Sequence, residues 1–126
     1  MSYKTAMGRV IGLGSAKTGG EHWFGERLKA VALVPLTIGF IVVIAPLIGE
    51  DYKTVTKTLS HPLCALTVIA FLLVTFKHLE EGLQVVIEDY VHAKGWLITL
   101  LVLSKLGTWA LGLGGVFAVA KIAFGG

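Results

Sequence analysis

His78 is a histidine inside a long apolar stretch of the sequence, and its side chain is the first candidate for chemistry. The apolar run 71–76 leads into it, and a mixed segment ending in Asp89 and Tyr90 follows it. A polar ring at that depth in a lipid-soluble helix is costly unless something binds it. Imidazole is also a common axial ligand of haem iron. Two interpretations stay open: His78 ligates a redox metal, or it only hydrogen-bonds a neighbouring helix.

Helical spacing puts a glycine and a carboxylate on the same face as this imidazole. Residues three or four apart share a face of a helix, so His78, Gly82 and Asp89 belong to one stripe. A glycine there leaves space for a flat macrocycle against the backbone, which a haem in a helical bundle needs beside its ligand. His78 can supply only one axial position, so a haem with two histidine ligands would need the other from a second chain. The full stripe is Phe71, Val74, Thr75, His78, Gly82, Val85 and Asp89.

Tyr90 and Asp89 form a second candidate site further along the same helix. They lie about 17–18 Å beyond His78 if the helix continues with its usual rise. A phenol hydroxyl can donate a hydrogen bond to a carbonyl oxygen such as that of a quinone, and a nearby carboxylate can orient or tune it. The alternative is an interfacial belt tyrosine, which spacing alone favours because it is the commoner role.

Charged residues surround His78 on the other faces of its helix. Lys77, Glu80 and Glu81 are difficult to place against lipid, although Lys77 and Glu81 can pair one turn apart. We expect these three side chains to form a charged face that is hydrated or docked against a soluble partner. Lys105 lies deep in the next apolar run. Snorkelling or a subunit-interface pair is favoured there over contact with a haem propionate or a lipid phosphate.

The composition requires a membrane around these residues. The 126 residues are 55% hydrophobic and only 15% charged, with a mean hydropathy of +0.79. A soluble domain of this size would expose large apolar areas to water. The apolar residues cluster in three runs, which predict membrane spans at about 28–48, 62–86 and 96–122. We therefore expect an all-α membrane protein, one transmembrane domain over 1–126, with no nucleic-acid partner.

Basic residues that precede or open the first span set the expected orientation. The positive-inside rule predicts a cytoplasmic N-terminus and, with three spans, a periplasmic C-terminus. The link between the second and third spans is short, so these spans should be antiparallel neighbours. The basic residues are Lys4, Arg9, Lys17, Arg27 and Lys29.

Prolines, a glycine and a serine mark the expected helix boundaries. Pro35 should kink the first span, because proline lacks a backbone donor and crowds the preceding turn. Pro46 and Gly49 mark the end of that span. Ser60 is expected to cap the second span, and Pro62 is tolerated in its first turn. In the third span, a stripe of small residues is expected to be a helix-packing face; its members are Gly107, Ala110, Gly114 and Ala118.

Two segments of the chain resemble a known family. The pattern His78-x3-Gly82-x6-Asp89-Tyr90-Val91 is similar to the hydrophobic membrane anchors of succinate dehydrogenase, respiratory complex II, of the alphaproteobacterial and mitochondrial type. The segment from His22 through Arg27 to Pro35 is similar to that family's entry into its first span. The resemblance covers nearly the whole chain.

The resemblance implies a role for each candidate residue. The chain would be half of a heterodimeric helical membrane anchor. His78 would be an axial ligand of the iron of haem b, with the other histidine from the second anchor chain, the cytochrome b556 subunit. Arg27 and His22 would lie near the haem propionates or the quinone mouth. Tyr90 would donate a hydrogen bond to a ubiquinone carbonyl, with Asp89 beside it.

The resemblance also implies the cellular function. The chain would be a non-catalytic anchor of succinate:ubiquinone oxidoreductase in the bacterial inner membrane, docking the iron–sulfur and flavoprotein subunits of this tricarboxylic acid cycle enzyme. Succinate would be oxidised on the flavoprotein. Two alternatives stay open: the anchor of a fumarate reductase, and a cofactor-free structural or assembly protein. Glu80 and Glu81 make the segment after His78 more polar than the family pattern leads us to expect.

Overall fold

The computed structural model describes residues 19–125, and the backbone there is helical apart from short connections. Three of the helices in that range are long and apolar enough to cross a membrane: α1, α3 and α4. The expected all-α membrane protein with three transmembrane helices is confirmed. The helices are α1 (Gly19–Ile44), α2 (Tyr52–Leu59), α3 (Pro62–Tyr90) and α4 (Lys94–Gly125), and a 3₁₀ turn (Ala45–Leu47) follows α1.

The helices are longer than the apolar runs that predict them. α3 continues beyond residue 86 to Tyr90, and α4 extends beyond 96–122 in both directions. α1 begins well before residue 28 but gives way to the 3₁₀ turn at Ala45. Apolar runs mark only the part of a helix that lies in the hydrocarbon core of the membrane. The helical backbone hydrogen bonds continue into the polar ends. Lys4, Arg9 and Lys17, on which the orientation partly depends, lie outside the described residues.

The first span ends where proline and glycine were expected to end it. α1 runs through Pro35 as one helix. Pro46 lies in the 3₁₀ turn, and Gly49 adopts a φ of +88°, a left-handed conformation that costs glycine little. This turn redirects the chain into α2, a short helix in the connector that the sequence pattern did not predict. Leu59 of α2 is buried against the spanning helices.

Ser60 ends α2, and the expectation that it caps α3 is wrong. Its backbone N–H and its hydroxyl both donate to the Thr56 carbonyl, at 2.9 and 2.7 Å, and the next N–H, that of His61, donates to the Thr58 carbonyl. His61 holds the N-cap position of α3, with no side-chain cap hydrogen bond. The serine is one residue too early, and its hydroxyl is already used by carbonyls, including that of Ile122 at 3.3 Å.

α3 lies between the other two spans and packs antiparallel to both. Against α1, Gly39 lies beside Thr67, and the rings of Phe40 and Phe71 stack with centroids 4.2 Å apart. Against α4, a Cβ at Gly112 would lie 3.2 Å from the Phe76 side chain. Glycines at such crossings let backbones approach closely.

The buried core lies at the end of the bundle away from His78. Its members are Leu59, Ala65, Val68 and Val119. The predicted small-residue stripe does not pack within the described chain, since its four residues are exposed. α4 instead meets α3 through Thr108, Gly112 and Val119, which are buried. Spacing identified a small-residue stripe on α4, but it could not say which face of α4 turns toward α3.

Candidate functional site

His78 lies on the outside of the three-helix bundle. Its side chain is exposed, as is Gly82 one turn later. A Cβ built on Gly82 would meet no described atom within 4 Å. Phe71 and Thr75, which precede His78 on the same stripe, are half-buried. Only the part of the stripe from His78 toward the C-terminal end of α3 is therefore open. The imidazole and the gap beside it therefore face away from the chain's own helices.

Glu80 and Glu81 turn toward the inside of the bundle. Their side chains are 7% and 14% exposed. At about 100° per residue, Glu80 lies about 160° from His78 around the helix axis and faces nearly away from it, whereas Glu81 lies about 60° to one side. The expectation of a hydrated or docked charged face is therefore wrong for these glutamates. A buried carboxylate in a membrane protein needs cations close to it.

Three lysines supply those cations, one from each spanning helix. Lys29 of α1 forms an ion pair with Glu81. Lys77 Nζ lies 3.1 Å from Glu80 Oε2 and 3.7 Å from Glu81 Oε1, which includes the predicted pairing one turn apart. Lys105 Nζ of α4 lies 3.8 Å from Glu80 Oε1, and its side chain is 68% exposed. We call these five side chains the inter-helix ion network.

The network lies in one layer across the bundle. Lys29 is about 15 Å along the axis from the start of α1, and Glu80 is about 15 Å from the end of α3. Lys105 is about 16 Å from the start of α4. Since α3 is antiparallel to both neighbours, these are distances from the same end of the bundle. Charges at that depth remain only where they are paired or reach water.

A polar groove runs from this layer toward the same end of the bundle. It is lined by Glu80, Gln84, Leu101, Ser104 and Lys105. Gln84 Nε2 donates to Glu88 Oε1 at 2.8 Å, so amide and carboxylate groups continue along α3. Lys105 therefore has an intrachain partner and a polar groove beside it.

The predicted quinone residues lie at the end of α3. Asp89 and Tyr90 close the helix, and Tyr90 is 80% exposed. Arg27 of α1 lies toward the same end, with its guanidinium 4.6 Å from the centroid of the Trp23 ring. Within residues 19–125, no hydrogen bond or ion pair joins Arg27 to Tyr90. The side chain of His22 lies outside the described part of the chain.

A metal at His78 would need ligands from elsewhere. No group of three or more histidine, cysteine, aspartate or glutamate side chains with metal-binding geometry occurs among the residues described here. Haem iron needs fewer protein ligands, since each axial position takes one side chain. The open face at His78 and Gly82 offers the one side chain that a single axial position requires.

Lys29 is the site residue that the sequence did not identify. It was counted only as one of the basic residues that set orientation. The available signal was the pair Glu80 and Glu81, whose burial would need cations beyond Lys77. Which lysine supplies them depends on how α1 lies against α3, and no local pattern carries that information.

Comparison with known proteins gives consistent results. A family model described as "Succinate dehydrogenase/Fumarate reductase transmembrane subunit" matches residues 1–114. The chain is 31% identical to the succinate dehydrogenase hydrophobic membrane anchor subunit of Paracoccus denitrificans over 125 residues, which cover 99% of this chain and 96% of that relative.

More distant relatives carry similar names. The corresponding anchor subunit of Rickettsia bellii is 29% identical over 93 residues, which cover 74% of each chain. The succinate dehydrogenase membrane anchor subunit of Reclinomonas americana is 28% identical over 93 residues, 71% of this chain and 78% of that relative. No solved structure matches the chain at a significant level.

Proposed function

The chain belongs to the family of succinate dehydrogenase and fumarate reductase transmembrane subunits, and from this premise we propose that it holds one side of a haem b and part of a ubiquinone site. It is a multi-pass membrane protein of the hydrophobic-anchor type. Its work in the complex would be to join the soluble subunits to the membrane and to pass electrons to quinone.

The observation that carries the haem proposal is the outward direction of His78 beside an open glycine face. The imidazole is exposed, and Gly82 leaves the adjacent backbone open. His78 would ligate the iron from this side, and a histidine of the second anchor chain, the cytochrome b556 subunit, would ligate it from the other. A bound haem b would supply a one-electron redox centre between the two anchor chains.

The quinone proposal rests on the end of α3. Tyr90 is exposed there, so its hydroxyl is free to donate to a ubiquinone carbonyl, with Asp89 beside it to orient or tune the phenol. Arg27 projects at the same end of the bundle, where it and His22 would meet haem propionates or the mouth of the quinone site. A guanidinium suits either role because it binds carboxylates through paired hydrogen bonds.

The proposed topology puts the quinone end at the cytoplasmic face of the bacterial inner membrane. The N-terminus would be cytoplasmic and the C-terminus periplasmic, as the basic N-terminal residues predict. The iron–sulfur subunit would dock at the cytoplasmic end and carry the flavoprotein subunit, where succinate is oxidised. A fumarate reductase anchor is the second candidate, because the matching family description names both enzymes.

Spectroscopy of the purified complex tests the haem assignment. We expect a reduced-minus-oxidised b-type spectrum in the wild type and its loss in His78→Ala. His61→Ala is the matched control, since His61 is also an exposed histidine of this chain but lies at the opposite end of α3. A full haem content in His78→Ala would refute the ligand role. A wild-type complex without any b-type signal would favour the cofactor-free alternative.

A further inference from the structure

We propose that the inter-helix ion network is a positioning device that sets the rotation of α3 about its own axis, and with it the direction in which His78 faces. The inference rests on the proposed function, because His78 needs a defined direction only if it ligates a haem shared with a partner. It assigns a role to Glu80 and Glu81, the two glutamates of the network.

The geometry of one helix links the two sets of residues. At about 100° per residue, the angular separation from His78 around the helix axis is about 160° for Glu80 and about 60° for Glu81. When Glu80 points into the bundle, the imidazole nearly opposite it must point out, and Glu81 lies between these two directions, where Lys29 of α1 reaches it. A rotation by one residue step would break the pair between Lys29 and Glu81 and carry His78 away from its present direction.

Apolar packing near His78 constrains this rotation weakly. The buried core residues lie at the other end of the bundle, toward α2. Around the site, Leu79, Val85 and Val86 are exposed within the chain. Apolar contacts between membrane helices also differ little from contacts with lipid. A buried carboxylate favours one rotation of α3 much more strongly, because any rotation that leaves it unpaired carries the full desolvation penalty.

Lys29 and Glu81 form the decisive contact of the network. They join two different helices, and their side chains are only 27% and 14% exposed. Lys77 belongs to α3 itself, so its pairs lower the cost of the glutamates but cannot fix α3 against a neighbour. Lys105 reaches Glu80 only at 3.8 Å from an exposed position, which makes it the weaker of the two ties between helices.

The test compares charge removal, charge reversal and charge exchange in the assembled complex. The variants are Glu81→Gln, Lys29→Glu and the double exchange Lys29→Glu with Glu81→Lys. Lys121→Glu is the matched control, because it is the same reversal at an exposed lysine near the far end of α4. The readouts are the low-spin haem signal in electron paramagnetic resonance, which depends on the angle between the two imidazole planes, and the haem midpoint potential. Both are expressed per haem.

We expect Glu81→Gln to shift the low-spin signal and the potential of the haem that remains, and Lys29→Glu to lower haem content at least tenfold. The double exchange should restore the haem content, the low-spin haem signal and the haem midpoint potential. Lys121→Glu should match the wild type in all three. A wild-type signal and potential in assembled Glu81→Gln would overturn the proposal and leave the network a purely structural role. Failure of the double exchange to recover what Lys29→Glu loses would also overturn it.

These outcomes are separate from a failure of the proposed function. If His78→Ala kept its haem, the ligand assignment would fall and the positioning role with it. If His78→Ala lost its haem while the network variants kept wild-type signals, the ligand assignment would stand and only the positioning role would fall.

Discussion

Replacing Gly82 by leucine is expected to remove haem from the complex while leaving the chain's own fold intact. Within the described residues, a Cβ at Gly82 meets nothing within 4 Å and the glycine is exposed, so the new side chain starts in open space on the surface of this chain. Removing a glycine from a helix interior favours the helix by about 1 kcal/mol in aqueous hosts. The chain alone should therefore be as stable as the wild type or slightly more stable.

The affinity of the complex for haem should fall, in contrast to the stability of the chain. If the macrocycle lies against the backbone beside His78, a leucine at residue 82 occupies that space. We expect at least a tenfold loss of haem affinity, which corresponds to about 1.4 kcal/mol. Alanine at the same position adds one methyl group and should lose less.

Two measurements on the same preparation separate these effects. Haem per assembled complex is read from the b-type absorbance, and the stability of the chain is read from its thermal unfolding in detergent. Gly114→Leu is the control, because Gly114 is also open within the chain but lies on α4. Full haem content in Gly82→Leu would refute the idea that this glycine makes room for the macrocycle. Equal loss of haem in both leucine variants would point to general damage to assembly.

The other predictions concern packing, quinone and pH. Gly112→Ala should destabilise the bundle by up to about 2 kcal/mol, because the added methyl group would lie 3.2 Å from the Phe76 side chain and the overpacking exceeds the gain in helix propensity; thermal unfolding checks this. Tyr90→Phe should lower quinone reductase activity while succinate oxidation by an artificial acceptor survives, and equal loss of both would indicate failed assembly instead. Hydrogen bonds from Thr54 lower the pKa of Asp51 below 3.8. The charged cap of α2 should therefore be complete above that pH and be lost as the pH falls through the lowered pKa, which amide exchange at Thr54 would detect; an unchanged exchange rate in Asp51→Ala would contradict the cap.

The sequence predicted the spanning helices because the bilayer imposes a length and a polarity on them. Runs of apolar residues about 20 long have few alternatives to a membrane helix. Spacing within α3 also placed His78, Gly82 and Asp89 on one stripe, since a continuous helix fixes those relations. Both inferences are local, which is why they could be made from one chain.

The relations between helices could not be predicted in the same way. Lys29 and Glu81 are 52 residues apart, and their pairing depends on how α1 crosses α3. Ser60 is a suitable cap by residue type, yet its hydroxyl bonds carbonyls of α2 and α4. In each instance, a polar group had more than one possible partner, and packing between helices decided among them.

Two faces of α3 near His78 would have different roles in the proposed haem site. The outer face carries His78 beside an open glycine, and the inner face carries Glu80 and Glu81 held by lysines of neighbouring helices. A ligand that already points toward its partner loses less conformational freedom when the complex forms, so more of the binding free energy is kept. Most apolar side chains near His78 are exposed within the chain and can set this direction only weakly. Ion pairs between these largely buried carboxylates and the lysines of neighbouring helices are an alternative means of fixing it, because a carboxylate at that depth in a membrane tolerates few arrangements.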